Sequence, residues 1–83
     1  MRTDKEEICR RMDEIHTTAM GYGRISKNLG LCGADPVAHC KNIIMDSRCT
    51  IHRKGKNWYC EMDNVRITVN THSCTIITAH ILK

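Results

Sequence analysis

The side chains of this 83-residue sequence that can do chemistry fall into three groups. The first is His16-Thr17-Thr18, with Arg24 and Lys27 about two to three helical turns further along. The second is a basic turn, His52-Arg53-Lys54-Gly55-Lys56, which runs into Asn57, Trp58 and Tyr59. The third lies on two alternating segments, with Arg66, Thr68 and Asn70 on one and Thr78 and His80 on the other. An imidazole takes or gives a proton near neutral pH. Arg and Lys stabilise a phosphorane-like dianion, and a Thr hydroxyl adds a hydrogen bond. RNA brings its own nucleophile, the 2′-OH. These groups therefore suffice in kind for a metal-independent ribonuclease.

On that reading His16 and His80 are the acid and base candidates. Arg24 and Thr78 complete the catalytic set, one for the phosphate and one to orient the substrate. Arg53, Lys54, Lys56, Tyr59 and Asn70 are the candidates for nucleic-acid binding. No cofactor is expected. Each residue also has a structural reading. His16 at a helix C-terminus complements the helix dipole. Asn70 and Thr71 form turns. Trp58 fits the core and leaves Tyr59 exposed.

Net charge is +4. Residues 1–31 carry six basic and five acidic groups, and residues 32–83 carry seven and four. The excess peaks in the basic turn, where placing Lys or Arg on phosphates releases condensed counterions. Hydrophobic residues are 41% and charged residues 27%, which excludes a disordered chain. No apolar run approaches the ~18–20 residues of a membrane span. The opening MRTDKEEICRRMDE has no apolar stretch, so a secretory signal is not read and a cytoplasmic protein is expected. The six cysteines, at 9, 32, 40, 49, 60 and 74, form no CxxC pair. Most are expected as free thiols in or near the core. A metal site using His39, Cys40 and Cys49 would have to be assembled through space.

The elements that must position these groups are legible from spacing. Thr3-Asp4-Lys5-Glu6 fits a capping box. Ile8, Met12, Ile15 and Ala19 then predict one helix over 4–19. Gly21 and Gly23 predict a bend. Tyr22, Ile25 and Leu29 predict a second helical piece capped by Gly30. Asp35-Pro36 opens a third helix, striped by Val37, Cys40 and Ile44 and ending near Asp46. From Cys49 the period becomes two. Strands are predicted over 49–53, 57–62, 65–70 and 74–81. Asp63-Asn64 is a two-residue turn that favours positive φ. The expectation is one α+β domain over 1–83, helical over about 4–46 and a β-meander over about 49–82. Two to three helices pack on one face of the four-stranded antiparallel sheet, and the other face is open.

Four strings carry a resemblance: HTTAMGYGRISKNL from His16 to Leu29, GKNWY from Gly55 to Tyr59, ITVN from Ile67 to Asn70, and TIITAH from Thr75 to His80. Together they resemble a small bacterial domain family of unknown function, number three-seven-eight-one of that series. The resemblance covers nearly the whole chain and implies no activity. More loosely, helices followed by a four-stranded meander ending in Thr-Ala-His are similar to the barnase/colicin/RelE group of ribonuclease toxins. That group implies a small, metal-independent enzyme acting on tRNA or mRNA.

Two functions lead, with a Cys/His metalloprotein as a third reading. One is an RNA-directed module of the ribonuclease-toxin type. The other is a non-catalytic binding module, such as an antitoxin, a phage-type inhibitor or a regulatory subunit. It would dock a protein or nucleic acid through its basic hairpin and open sheet face. RNA is the leading partner, a protein partner is the alternative, and a membrane is not expected. An unprotected sheet edge would also favour a homodimer.

Overall fold

Thr3 begins the first helix as the sequence predicts, its hydroxyl accepting from the Glu6 amide at 3.1 Å. The computed structural model describes residues 3–31, 33 and 35–82. Cys32, one of the expected thiols, lies outside the described residues. Helix α1 spans Asp4–Arg10 and stops well short of Ala19. A 3₁₀ turn over Met12–Glu14 follows, and Ile15 is extended. The cause is competition for the backbone of His16. Its amide donates to Cys74 O at 3.1 Å, and its carbonyl accepts from Ile76 N at 2.7 Å. Those sheet-like bonds exclude helical ones. Ile8 and Ile15 are nevertheless both buried and Met12 packs against them, which is why the helical stripe reads as continuous.

Helix α2 spans Ala19–Leu29, with Thr18 as its N-cap and Gly30 at φ 65° as its C-cap. It runs through Gly21 and Gly23 without the predicted bend. Gly21 is buried, and a Cβ there would sit 2.2 Å from the Thr17 hydroxyl. This glycine serves close approach, not a break. Helix α3 spans Pro36–Met45. Asp35 Oδ1 accepts from Val37 N at 2.9 Å, and Asp46 closes the helix, both as predicted.

Strands β1 (Thr50–Lys54), β2 (Asn57–Met62), β3 (Val65–Asn70) and β4 (Ile76–Ile81) form one antiparallel sheet in the order β1-β2-β3-β4. This is the predicted α+β meander. Asp63 and Asn64 take φ of 50° and 66°. β1 begins one residue later than predicted. β4 begins at Ile76 instead of Cys74, because Cys74 has φ 58° and closes a turn with its amide on Asn70 O at 3.0 Å. A bulge follows. Thr68 pairs with Thr78 and Val69 with Ile76, so Ile77 is the extra residue.

The core lies between helices and sheet. Trp58, Cys60, Ile67, Val69, Ile76 and Ala79 meet Ile8, Ile15, Ile25, Cys40, Ile43 and Ile44. Trp58 is 1% exposed. The Arg11 guanidinium lies 5.9 Å from its ring centre and donates to Thr71 O and to His72 O, the latter at 2.8 Å. Cys9, Cys40, Cys49, Cys60 and Cys74 are free thiols, all but Cys9 buried. Burial pushes the Cys40 thiol up to about 11 and the Cys60 thiol up to about 12. Among the described residues no three His, Cys, Asp or Glu side chains group to hold a metal, so His39, Cys40 and Cys49 are not assembled into a site. Among the described residues no helix is long and apolar enough to cross a membrane.

The sheet edges are partly covered. On β4, Ile76 O accepts from Thr17 Oγ1 at 3.0 Å and Ala79 O accepts from Asn28 Nδ2 at 3.2 Å. On β1, the Arg53 amide donates to Asp4 Oδ2 at 3.0 Å. The homodimer expectation rested on an open edge, and at these points the edge groups have partners within the chain.

Candidate active site on the open sheet face

Strand alternation divides the predicted site residues between two faces. Trp58, Cys60, Ile67 and Val69 face the helices. Their neighbours face the other way, and pairing aligns them in cross-strand rows. One row is His52, Tyr59, Thr68 and Thr78. The next is Thr50, Glu61, Arg66 and His80. Rows two residues apart are about 6.5–7 Å from each other.

In the second row Arg66 stands directly opposite both Glu61 and His80. Arg66 Nε donates to Glu61 Oε2 at 3.0 Å. That bond uses one edge of the guanidinium. Among the described residues its two Nη groups have no acceptor, and they are the fork that binds phosphate. Glu61, Arg66 and His80 are half-buried. A carboxylate, a guanidinium and an imidazole thus sit on three adjacent strands, with the cation in the middle.

Beside them lies an open depression of about 390 Å³, lined by His52, Lys54, Gly55, Tyr59, Glu61 and Arg66. The His52 and Tyr59 rings stack with centres 5.7 Å apart and planes 24° apart. Lys54 and Thr78 are exposed, and Thr68, between Tyr59 and Thr78, is 7% exposed.

The remaining predicted residues are elsewhere. His16 lies beside Thr75 at the start of β4, while His80 lies five residues further on. That separation is about 16 Å along the strand, so the two histidines do not share a substrate atom. His16 is tied into the turn. Its Nδ1 donates to Glu14 O at 2.8 Å, and its Nε2 meets Thr75 Oγ1 at 3.1 Å. Arg24 is exposed on α2, on the helical side of the sheet. Arg53 pairs with Trp58 and so faces away from Lys54, with its Nε on Gly55 O at 3.3 Å. Lys56 is exposed in the β1–β2 turn, and its carbonyl accepts from the Thr71 amide at 2.8 Å. Asn70 is a turn former, its Oδ1 accepting from His72 N at 2.9 Å and Ser73 N at 3.0 Å.

Sequence reasoning gave no role to Arg66, which it placed on the outward side of β3, and did not single out Glu61 at all. A signal for it existed. A two-residue turn at Asp63-Asn64 forces residues equidistant from it to pair, which sets Glu61 opposite Arg66.

No curated protein and no solved structure was found to match the chain. The looser likeness to the ribonuclease-toxin group therefore finds no support in these comparisons. A family model does match, over residues 9–80, and its description is "Protein of unknown function (DUF3781)". With the match covering most of its length, the chain belongs to that family.

Proposed function

We propose that this protein is a metal-independent endoribonuclease whose acting groups are Glu61, Arg66 and His80. The observation that carries the reading is their order in one row on the face the helices leave open. Displacement at a phosphodiester needs a base on the attacking side and an acid on the leaving side. A cation between them must meet the charge that develops on the phosphoryl oxygens.

The Glu61 carboxylate takes the proton of the 2′-OH as that oxygen bonds to phosphorus. The Arg66 Nη groups bind the non-bridging oxygens. The bond from phosphorus to the 5′ oxygen breaks, and the His80 imidazolium gives that oxygen its proton. The products are a 2′,3′-cyclic phosphate and a free 5′-OH. Glu61 leaves the step protonated and His80 neutral, and exchange with water restores both. Thr78, one row away on the same strand as His80, is placed to orient the strand that leaves.

The test is incubation of the purified protein with total RNA, tRNA included, with and without chelator. Cleavage that survives chelator, leaves cyclic phosphate ends and is lost in Glu61→Gln and His80→Ala is the expected result. Full activity in both variants, or no cleavage by the unaltered protein, overturns the reading. The stacked His52 and Tyr59 rings beside Lys54 favour a second reading, an RNA-binding module without turnover. Its signature is a salt-sensitive gel shift with intact RNA.

A further inference from the structure

Glu61 and Arg66 wall one end of the depression, and the rest of its lining, His52, Lys54, Gly55 and Tyr59, has no role in the bond-breaking step. The depression lies wholly on the β1–β3 side of the row, and His80 on β4 takes no part in it. We propose that it holds the base of the nucleotide whose 2′-OH is attacked, with purines preferred, so that RNA crosses the sheet 5′ to 3′ from β1 toward β4. This inference rests on the cleavage reading above and adds to it a strand direction and a base subsite.

Direction follows from which proton each group moves. The group that removes the 2′-OH proton must stand on the side of the 5′ nucleotide. The group that protonates the 5′ oxygen must stand on the side of the 3′ nucleotide. Glu61 is on β2 and His80 on β4, with Arg66 of β3 between them. The 5′ nucleotide therefore lies over β1 and β2.

That is where the π surface is. Tyr59 is two residues from Glu61 on the same strand and face, about 6.5–7 Å away, within the reach of a single nucleotide. His52 stacks with it at 5.7 Å. Stacking accepts any base and ranks bases by stacking strength, which favours the larger purine face. Lys54 lines the same depression two residues from His52 on β1, and in this proposal it takes the next phosphate upstream. On the 3′ side, the open-face residues of β4 are Thr78 and His80, with no aromatic platform comparable to Tyr59.

Two measurements test this. The first is cleavage of uridine-rich oligoribonucleotides carrying a single adenosine. Scission on the 3′ side of the adenosine is expected to exceed scission after uridine by about tenfold. Tyr59→Leu and His52→Ala are expected to erase that preference and to raise KM more than they lower kcat, as loss of uniform binding does. The second is titration with adenosine 3′-monophosphate, read from the NMR signals of the His52 and Tyr59 rings, which needs no turnover. Ring shifts together with the purine preference support the proposal. Cleavage with no preference, no ring shifts and unchanged KM in both variants overturns the subsite alone. Ring shifts without any cleavage overturn the strand direction together with the cleavage reading. Neither shifts nor cleavage overturns everything proposed for this face.

Discussion

Arg66 Nε donates to Glu61 Oε2 at 3.0 Å across the β2–β3 hairpin, and His80 stands opposite the same arginine on its other side. The ion pair is a poor device for stability. Its side chains are 40% and 32% exposed, and pairs of that exposure contribute about 0–1 kcal/mol. Substitutions in the row therefore test its proposed role more than they test stability. The same geometry makes stability and activity separable by mutation.

Glu61→Gln keeps the shape and removes the base. Its melting temperature should stay within a few degrees of the unaltered protein, since about 1 kcal/mol moves a domain of this size by about 4–8 °C. Its cleavage rate should fall by about 10²- to 10⁴-fold, the usual contribution of general base catalysis. Thermal melts and single-turnover cleavage of one oligoribonucleotide check both. A variant that melts normally and cleaves at full rate would remove Glu61 from the chemistry.

Lys54 and Arg53 are adjacent in sequence and face opposite sides of the sheet. Lys54→Glu should weaken RNA binding and lower the slope of log K against log salt by about one phosphate contact, about 0.7 for a single strand. Arg53→Glu should change that slope less, because its side chain is turned toward Gly55 O. Binding isotherms at four salt concentrations decide it. Equal effects would mean that the basic hairpin, not the open face, meets the RNA.

The open face was legible in sequence up to one point. The alternation of Val65, Ile67 and Val69 with Arg66, Thr68 and Asn70 gives the polar side of β3, and Thr78 and His80 share a side of β4. Whether those two sides coincide depends on the connection between the strands. Thr71 to Thr75 is not a regular hairpin turn, Cys74 is left-handed, and Ile77 bulges. The bulge shifts register by a residue, and one residue reverses the face. The placement of His16 was not legible for a different reason. Local helical spacing favoured a helix to Ala19, and the bonds that override it come from Cys74 and Ile76, nearly sixty residues away.

Gly21 and Gly23 lie in one helix in different surroundings. A Cβ at Gly21 would stand 2.2 Å from Thr17 Oγ1, whose hydroxyl is held by Ile76 O at 3.0 Å. A Cβ at Gly23 would meet nothing within 4 Å. Gly21→Ala should destabilise by about 1–3 kcal/mol through overpacking. Gly23→Ala should stabilise by about 0.5–1 kcal/mol through helix propensity. Urea unfolding of the two variants measures the difference. A stabilising Gly21→Ala would mean that Thr17 yields freely and that its bond to the β4 edge is dispensable.

The buried thiols give the fold an alkaline limit. In an unfolded chain a cysteine ionises near its ordinary value of 9.0, while burial pushes Cys40 up to about 11 and Cys60 up to about 12 in the folded protein. Between those values the unfolded state has lost protons that the folded state keeps. Stability therefore falls as pH rises, because the unfolded state binds fewer protons there. The window opens near pH 9, and the Cys40 contribution stops growing near pH 11. Across it the slope should approach two protons from these thiols, with burial pushing Cys49 and Cys74 in the same direction. Urea midpoints at pH 7, 8, 9, 10 and 10.5 should be level to pH 8 and then decline. The decline should be shallower in Cys40→Ala at equal reference stability. A midpoint that stays level to pH 10.5 would show that these thiols reach solvent in the folded chain.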